Sequence, residues 1–495
     1  MIGGKFESGV TVIASRLKFA TALSAAILLA ACGGGGGGGG GGSSSPPTTG
    51  GTPTPPPPTG SACSLGARQD WAEARIDEWY LFPETLPANP SSAGHATVQS
   101  FIDYLTATAR AQGRDRFFTY ITSIAEETAF YEQGANAGFG IRLSYDVEAG
   151  RVLISEAFEG APALAAGLDR GTEILAIGTN SGNLRNVSDI LAEDGAAGVV
   201  EALGPPDAGV SRAFRLRDAG GTFATTVTKA EYEILPVSPR YGALTLDDGG
   251  RKVGYLNLRT FIDPADPAMR QAFADFRAQG ITDYVIDLRY NGGGLVSIAE
   301  LLTNLLGRNR RSSEVLSRTI FRGSKSQFNE TEFFDPQSQS VAPVRIAFIG
   351  TEGTASASEL VINALIPYFG ANLALIGTDT YGKPVGQIAQ DREECDDRLR
   401  IVAFRTENAD RQGDYYGGLA GTVAASCRAP DDVDFQLGDP DEPSVATALD
   451  FLAGRSCTPI PTTSTGPSAE PLRLPRILLR PRDPSAAQIE MPGSF

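Results

Sequence analysis

The sequence predicts a multidomain α/β protein, and three observations support this prediction. First, 495 residues are more than one ordinary hydrophobic core holds, so about two or three domains are expected. Second, from Val253 onward apolar runs of strand length alternate with amphipathic helical runs. Third, a helical period before residue 132 gives way to a period of two after Gly138. These patterns predict a helical lead-in, a mostly β module and an α/β layer whose sheet is largely parallel.

The first sixty residues have the composition of a targeting segment followed by a spacer. Two basic residues precede an apolar run at 19–31, which is short for a membrane span and typical of a signal peptide. Residues 33–60 are Gly, Ser, Pro and Thr only, a composition typical of flexible linkers. We therefore predict a signal peptide at 1–31 and a linker at 32–60.

The apolar run ends in Leu29-Ala30-Ala31-Cys32, which resembles the lipobox of bacterial lipoproteins. The resemblance implies cleavage before Cys32 and attachment of lipid to its thiol. The residue that follows the cysteine is Gly33 and not Asp. This resembles the outer-membrane sorting signal of Gram-negative lipoproteins. The folded part would then lie in the periplasm or at the cell surface, attached to the outer membrane through lipid alone. The alternative is an ordinary signal peptide with an unrelated cysteine.

Charge and cysteine content narrow the partners and the compartment. The net charge is -16, and the basic residues cluster only near 473–482, so we expect no nucleic-acid partner. Of the five cysteines, four remain if Cys32 carries lipid, and an even number in an oxidising compartment predicts two disulfides. We expect Cys395 to pair with Cys427, and Cys63 with Cys457, with free buried cysteines as the alternative.

The folded part divides into three predicted domains and a tail. Aromatic and apolar residues at helical intervals predict a helical N-terminal domain at 61–132, and a period of two predicts the β module at 133–225. The α/β domain is expected at 226–458. Beyond it, Pro-rich sequence without periodicity predicts a disordered tail at 459–495. The α/β domain should contain strands at 253–261, 284–288, 344–349 and 373–376. One helix should have Asp266 as its cap and Pro267 at its first position. Two further helices are expected at 295–306 and 358–365.

The chain contains one histidine, His95, in a Gly- and Ser-rich loop of the lead-in. A Ser-His-Asp or Cys-His hydrolase would have to use it, and a zinc hydrolase normally needs two or three His ligands. We expect His95 to be a solvated loop residue. Neither a P-loop nor a dinucleotide fingerprint follows any predicted strand, so we predict no metal and no cofactor.

A hydrolase without histidine can activate serine with a lysine whose amine is desolvated and neutral. The strand at 344–349 runs into small residues around Ser356 and Ser358, a turn that would expose a hydroxyl at a helix N-terminus. The next strand leads to Lys383, and Gln387 follows four residues later, where its side chain can hold the lysine.

Three motifs occur in order: Asp-Leu-Arg-x-Asn-Gly-Gly-Gly from Asp287, Thr-Ala-Ser-Ala-Ser-Glu from Thr354, and Thr-Tyr-Gly-Lys-x-x-x-Gln from Thr380. Together they resemble the signature of the carboxyl-terminal processing (tail-specific) serine peptidases. The resemblance implies a ClpP/crotonase-like core and a Ser-Lys catalytic pair. It assigns the following roles: Ser356 as nucleophile, Lys383 as general base, Gln387 as its orienter, and the N–H groups of Ala357 and of Gly293 or an adjacent glycine as oxyanion donors.

The interval from Ser356 to Lys383 is longer than is usual in this family, and spacing alone would select Ser358. The motif itself selects Ser356. An Asp often found between the two is replaced by Pro367, Tyr368 and Phe369, and Pro384 follows the lysine where the family commonly has Gly.

The β module carries Gly138-Phe139-Gly140-Ile141, which resembles the carboxylate-binding loop of a PDZ domain. The resemblance implies that polypeptides with accessible C-termini are bound here. The predicted function is a lipid-anchored serine endopeptidase that recognises C-termini and hydrolyses peptide bonds. The alternative is a non-catalytic surface lipoprotein that binds peptides or other ligands on the same scaffold.

Overall fold

The computed structural model describes residues 61–146, 148–461 and 476–495. The predicted signal peptide, Cys32 and the linker lie outside the described residues, as do residues 462–475 of the predicted tail. None of the helices in the described ranges combines the length and the apolar character that a membrane span needs.

The lead-in is helical apart from one short strand. Ser64 caps the first helix by accepting the N–H of Ala67, and Thr97 caps the second with a capping box. The short strand was not predicted, because its antiparallel partner, Asp397–Glu407, is distant in sequence. The elements are α1 (Leu65–Trp79), α2 (Val98–Leu105), α3 (Ala107–Ala111), β1 (Tyr120–Ser123) and α4 (Ile124–Gln133).

The β module is a twisted sheet with one long helix packed on its apolar face. Its strands continue to Glu233, beyond the predicted end at 225. The elements are β2 (Ala135–Gly138), β3 (Ile141–Asp146), β4 (Arg151–Ala157), α5 (Pro162–Ala165), β5 (Glu173–Gly178), β6 (Arg185–Asn186), α6 (Val187–Leu203), β7 (Ser211–Asp218), β8 (Gly221–Thr228) and β9 (Ala230–Glu233). The sheet order is β3-β4-β5-β7-β8, with β6 on β5, while β2 pairs with β9.

The α/β part contains the central sheet and a second, antiparallel sheet. Its elements are β10 (Ala243–Asp248), β11 (Arg251–Asn257), α7 (Ala265–Ala278), β12 (Asp283–Asp287), α8 (Val296–Leu305), β13 (Val315–Phe321), β14 (Glu330–Phe333), β15 (Arg345–Gly350), α9 (Ala357–Phe369), β16 (Leu373–Gly377), β17 (Val385–Arg392), β18 (Asp397–Glu407), β19 (Ala425–Arg428) and α10 (Pro443–Leu452). The central order is β10-β11-β12-β15-β16-β19, and every pairing except β10 with β11 is parallel. The predicted, largely parallel sheet is confirmed.

The second sheet has the order β1-β18-β13-β14, with β17 also paired to β18. It joins the lead-in to the α/β part, because β1 belongs to the former and β18 to the latter. Between the sheets and helices, apolar side chains of β12, β15, α8 and α9 form the largest buried cluster.

The start of α7 differs from the prediction. The helix begins at Ala265, and Pro264 occupies the cap position with helical φ and ψ of -59° and -12°. Asp266 is therefore inside the first turn, and its carboxylate accepts a hydrogen bond from Arg270 at 2.6 Å instead of capping the helix.

The prediction of a disordered tail was wrong for residues 476–495, which we call the tail segment. It contains β20 (Ile477–Leu478), which pairs antiparallel with β3, and α11 (Ala486–Glu490). The segment lacks periodicity because it packs piecewise on other domains, where its Leu479 and Met491 are fully buried.

The expected disulfide pairing was also wrong, although the four cysteines expected to form disulfides are all paired. Cys63 bonds to Cys395, with Cα atoms 5.5 Å apart, and Cys427 bonds to Cys457, at 5.4 Å. Cys427 lies on edge strand β19, beside which the chain returns after α10, so its near partner is the later cysteine. The start of the lead-in packs instead against the turn that precedes β18.

Candidate active site

Ser356 is at the turn between β15 and α9, the position that the sequence predicted. Its φ and ψ are 55° and -114°, a conformation that costs a non-glycine residue energy and is concentrated at functional sites. The residue is partly exposed, whereas its neighbours Ala355 and Ala357 are buried. The strained turn therefore presents the Ser356 side chain at the N-terminal end of α9.

Ser358 occupies a different environment. Its side chain is fully buried, and its hydroxyl donates to the carbonyl oxygen of Asn291 at 3.0 Å. It thus ties the first turn of α9 to the glycine loop. A hydroxyl in such a position has a structural role, and this geometry favours Ser356 over Ser358 as the reactive serine.

Lys383 is buried, with only 5% of its surface exposed. Its Nζ donates to Oε1 of Gln387 at 2.9 Å and lies 4.9 Å from the centre of the Phe118 ring. The Gln387 amide in turn donates to the carbonyl oxygen of Phe118 at 2.6 Å, which fixes its orientation. Burial lowers the pKa of Lys383, although the carboxylates of Glu490 and Asp115 oppose this. A lysine with a lowered pKa can act as a base near neutral pH.

One buried carboxylate, that of Glu359, joins the serine turn to the lysine loop. Its Oε2 accepts the main-chain N–H of Ser356 at 3.0 Å and that of Lys383 at 2.7 Å. Its Oε1 accepts the hydroxyl of Thr380 at 2.6 Å and the N–H of Gly382 at 2.7 Å. No role was predicted for Glu359, yet its position three residues after Ser356 is that of the acid in a capping box.

The glycine loop after β12 lies beside the serine turn. Asn291 organises it: its side chain accepts the N–H of Gly293 at 3.0 Å and donates to the carbonyl oxygen of Leu258 at 2.8 Å. A Cβ atom at Gly293 would lie 3.2 Å from Ser356 Oγ, so glycine permits this close approach. The neighbouring N–H, that of Gly292, donates to the carbonyl oxygen of Glu490 at 2.8 Å.

Residues of the lead-in complete the lysine side of the site. Arg116 donates to the carbonyl oxygen of Tyr381 at 2.8 Å, and its guanidinium lies 4.1 Å from the centre of the Tyr381 ring. Asp115 is buried and accepts the N–H of Phe118 at 2.7 Å, which positions the ring over Lys383. His95, by contrast, packs against the rings of Phe101 and Tyr104 and is half-buried, although we expected it to be solvated.

The predicted peptide-binding residues Gly138, Phe139, Gly140 and Ile141 run from the end of β2 to the start of β3. The tail segment lies against them. The N–H groups of Gly140 and Ile141 donate to the main-chain oxygen of Phe495 at 2.9 and 3.2 Å. The structure thus brings Ser356, Ala357, Gly293, Lys383 and Gln387 together around the end of the central sheet. The predicted peptide-binding residues are in the β module, and residues 476–495 reach both places.

Similarity to known proteins agrees with this arrangement. Residues 252–412 match the model of Peptidase family S41, and this range contains the glycine loop, Ser356 and Lys383. The chain is 24% identical over 316 residues to the carboxy-terminal processing protease CtpA of Bacillus subtilis (strain 168), covering 63% of this chain and 61% of that protein. It is 27% identical over 330 residues to the chloroplastic carboxyl-terminal-processing peptidase 3 of Arabidopsis thaliana, covering 64% of this chain and 56% of that protein.

The chain therefore spans less than two thirds of the length of these relatives. Among solved structures, the fold is similar to that of a candidate S41 protease from Bacteroides fragilis NCTC 9343. The TM-score is 0.60 at 22% identity, with 78% of this chain and 97% of that chain covered. The three motifs in order and the match to the family model therefore lead to one conclusion: residues 252–412 of this chain form a Peptidase family S41 domain.

Proposed function

We propose that this protein is a serine endopeptidase in which Ser356 is the nucleophile and Lys383 the general base. One observation carries the proposal. A single carboxylate oxygen of Glu359 accepts the main-chain N–H of Ser356, which is strained and partly exposed, and that of Lys383, which is buried. The lowered pKa of Lys383 and the orienting contact from Gln387 suit a base that must be neutral before it can accept a proton.

The reaction follows from these positions. The Ser356 oxygen attacks the carbonyl carbon of the scissile peptide bond while the Lys383 amine takes the hydroxyl proton. The negative oxygen that forms would be stabilised by the N–H of Ala357 and by that of a loop glycine. The N–H of Gly293 already donates to Asn291, which favours the adjacent Gly292 as this donor. Lys383 then gives its proton to the leaving amine, which leaves an ester on Ser356. Water hydrolyses this ester with Lys383 again as the base, and the serine is regenerated.

The β module supplies the proposed selectivity for polypeptide C-termini. Gly140 and Ile141 direct two N–H groups at one oxygen atom, an arrangement suited to a carboxylate. The Phe495 side chain next to these groups packs into the apolar core of the β module, and this apolar pocket suits an apolar last side chain. We further propose that the mature protein is attached through lipid on Cys32 to the outer membrane and faces the periplasm or the cell exterior. The Leu29-Ala30-Ala31-Cys32 motif supports this proposal.

Incubation with denatured casein tests the proposed activity. The folded wild-type protein should release acid-soluble peptides, and the Ser356→Ala variant should release none above background. Wild-type and Ser356→Ala proteins that are equally inactive, while both bind peptides, would favour a non-catalytic binding protein. Mass spectrometry of the mature N-terminus tests the anchor, and an unmodified residue other than Cys32 at that position would contradict it.

A further inference from the structure

The tail segment pairs with the open edge of β3 as an added strand in two pieces. Ile477 and Leu478 pair antiparallel with Tyr145 and Ser144, and the N–H of Leu479 donates to the oxygen of Leu143 at 2.9 Å. The chain then leaves this edge and returns to it at Gly493 and Phe495. The N–H of Leu143 donates to the carbonyl oxygen of Gly493 at 2.8 Å, and the N–H of Phe495 donates to that of Ile141 at 2.8 Å. Addition of a strand to a sheet edge is a common way to bind an extended peptide.

Phe495 occupies the position proposed for the last residue of a substrate. Its main-chain oxygen accepts the N–H groups of Gly140 and Ile141, and its side chain, 6% exposed, belongs to the core cluster of the β module. A Cβ atom at Gly138 would lie 2.8 Å from the carbonyl carbon of Phe495. The loop from Gly138 to Ile141 therefore fits this occupant closely.

Between these two pieces, the tail segment enters the proposed catalytic centre. The carbonyl oxygen of Glu490 accepts the N–H of Gly292, and Oε1 of Glu490 accepts the hydroxyl of Tyr131 at 3.0 Å. A Cβ atom at Gly293 would lie 3.0 Å from Glu490 Oε2 and 3.2 Å from Ser356 Oγ. The Glu490 side chain thus lies beside the serine, where a substrate's reacting group has to be.

The carboxylate of Glu490 also affects the pKa of Lys383. Glu490 opposes the effect of burial on the pKa of Lys383, so it favours the ammonium form that cannot act as base. Burial raises the pKa of Glu490 itself. Lys383 and Arg400 act to lower that pKa, and Glu127 acts to raise it. Its Oε2 atom is buried and has no hydrogen-bond partner among the described residues. An unsatisfied buried carboxylate oxygen costs free energy. This cost weakens the docking of the tail segment, so that the segment can be displaced.

We propose that the tail segment is an intramolecular ligand of the substrate groove, and that it must leave before a polypeptide can reach Ser356. The inference depends on the proposed function for the identity of the groove as the substrate site. A ligand on the same chain competes at an effective concentration of about millimolar for short connections. Substrates that bind more weakly than this would be excluded until the tail segment is displaced.

A binding assay that needs no catalysis tests the inference. In the full chain carrying Ser356→Ala, a fluorescent peptide with the sequence of residues 486–495 is titrated and followed by anisotropy. Adding Phe495→Asp places a charge in the apolar pocket and should free the groove, so the peptide should bind about ten-fold more tightly or better. Asp483→Ala, an exposed position on the same segment, is the matched control and should change nothing. Equal affinity in all three proteins would overturn the inference.

The activity assay separates this inference from the proposed function. With Ser356 intact, Phe495→Asp should hydrolyse casein about ten-fold faster than the wild type or better, and Asp483→Ala at the wild-type rate. If the binding difference appears but no variant cleaves casein, the tail inference stands and the proposed function fails. If wild type and Phe495→Asp cleave equally and bind the peptide equally, the tail inference fails and the function stands. Circular dichroism checks folding, and Phe495→Ala, which adds no charge, replaces Phe495→Asp if the latter does not fold.

Discussion

Oε2 of Glu359 lies 2.7 Å from the main-chain nitrogen of Lys383, and the same oxygen accepts the N–H of Ser356. The two proposed catalytic residues are therefore held together through their backbones. Because Glu359 does not itself contact the reacting bond in the proposed mechanism, it is a positioning residue.

Replacing Glu359 by Gln should damage both stability and turnover. The amide NH₂ cannot accept the N–H groups that now point at one carboxylate oxygen, so buried donors lose their partner. We expect the free energy of unfolding to fall by about 1–3 kcal/mol. We expect kcat to fall by roughly 10- to 100-fold with a smaller change in KM, because the serine and lysine separate by a fraction of an ångström. Urea unfolding and steady-state kinetics measure the two effects.

The control for this variant is Glu352→Gln. Glu352 is an exposed acid on the turn between β15 and α9. The control variant should leave kcat and unfolding nearly unchanged. If Glu359→Gln alters KM and kcat equally while the pH profile stays as in the wild type, Glu359 has a merely structural role.

The sequence predicted the central sheet well because its strands are continuous apolar runs bounded by polar turns. The strand expected at 284–288 is Asp283–Asp287, and the one expected at 373–376 is Leu373–Gly377. Buried parallel strands carry this signal locally. The helix that begins at Ala265 starts two residues earlier than predicted because Pro264 already has helical dihedral angles, which composition does not reveal.

What the sequence could not predict depends on partners distant along the chain. The pairing of Cys63 with Cys395 spans 332 positions, and no local pattern encodes it. The tail segment lacks helical or strand periodicity because its residues pack on three different parts of the molecule. Its role beside Ser356 follows only from the folded structure, and the same holds for the contact between Glu490 and Gly292.

The two serines of the motif should differ sharply when each is replaced. Ser356→Ala should lower kcat by roughly 10³-fold or more with little loss of stability, because it removes the nucleophile alone. Ser358→Ala removes a buried hydrogen bond to Asn291 and should lower the free energy of unfolding by about 1 kcal/mol, while cleavage persists. An inactive Ser358→Ala protein and an active, folded Ser356→Ala protein would reverse the assignment.

Asp431 should contribute stability that acid removes. Its carboxylate pairs with Arg170 of the β module at 2.8 Å and with Arg289 of the α/β part at 3.0 Å. Although burial acts to raise it, these guanidinium groups hold the pKa of Asp431 well below its usual range. Because the folded pKa is depressed, the contribution is complete above the unfolded value of about 3.9 and is lost as pH falls below that value.

Asp431→Asn should therefore lower the free energy of unfolding by about 2–3 kcal/mol at neutral pH. The difference from the wild type should shrink as the pH is taken from 7 toward 3. Chemical unfolding at both pH values measures it, with Asp432→Asn as the neighbouring control. A difference that does not depend on pH would show that the carboxylate charge is not what stabilises the contact.

The two disulfides should contribute unequally. In the chain-entropy description, closing a loop across 30 positions between Cys427 and Cys457 stabilises by about 4 kcal/mol, and the longer Cys63–Cys395 loop by about 6 kcal/mol. The paired Cys→Ser double variants should follow this order in thermal unfolding. Peptide mapping without reduction should recover Cys63 with Cys395, and recovery of Cys63 with Cys457 would contradict the structure.

The pH dependence of cleavage should follow Lys383. Burial lowers its pKa from the usual value for lysine, so the neutral amine becomes populated at lower pH than in an exposed lysine. Because only this neutral form accepts the serine proton, kcat/KM should rise with pH and level off above the pKa of Lys383. Lys383→Arg should be inactive at every pH, since a guanidinium keeps its proton.

Lys229 provides the matched control for this profile. It is a second lysine with a lowered pKa, about 8, caused by burial and by the nearby Arg212, but it lies in the β module and donates to the oxygens of Gly204 and Pro205. Lys229→Arg should keep both the activity and the rise with pH. If the rise disappears in Lys229→Arg while Lys383→Arg still cleaves casein, the titrating base is not Lys383 and the catalytic pair is misassigned.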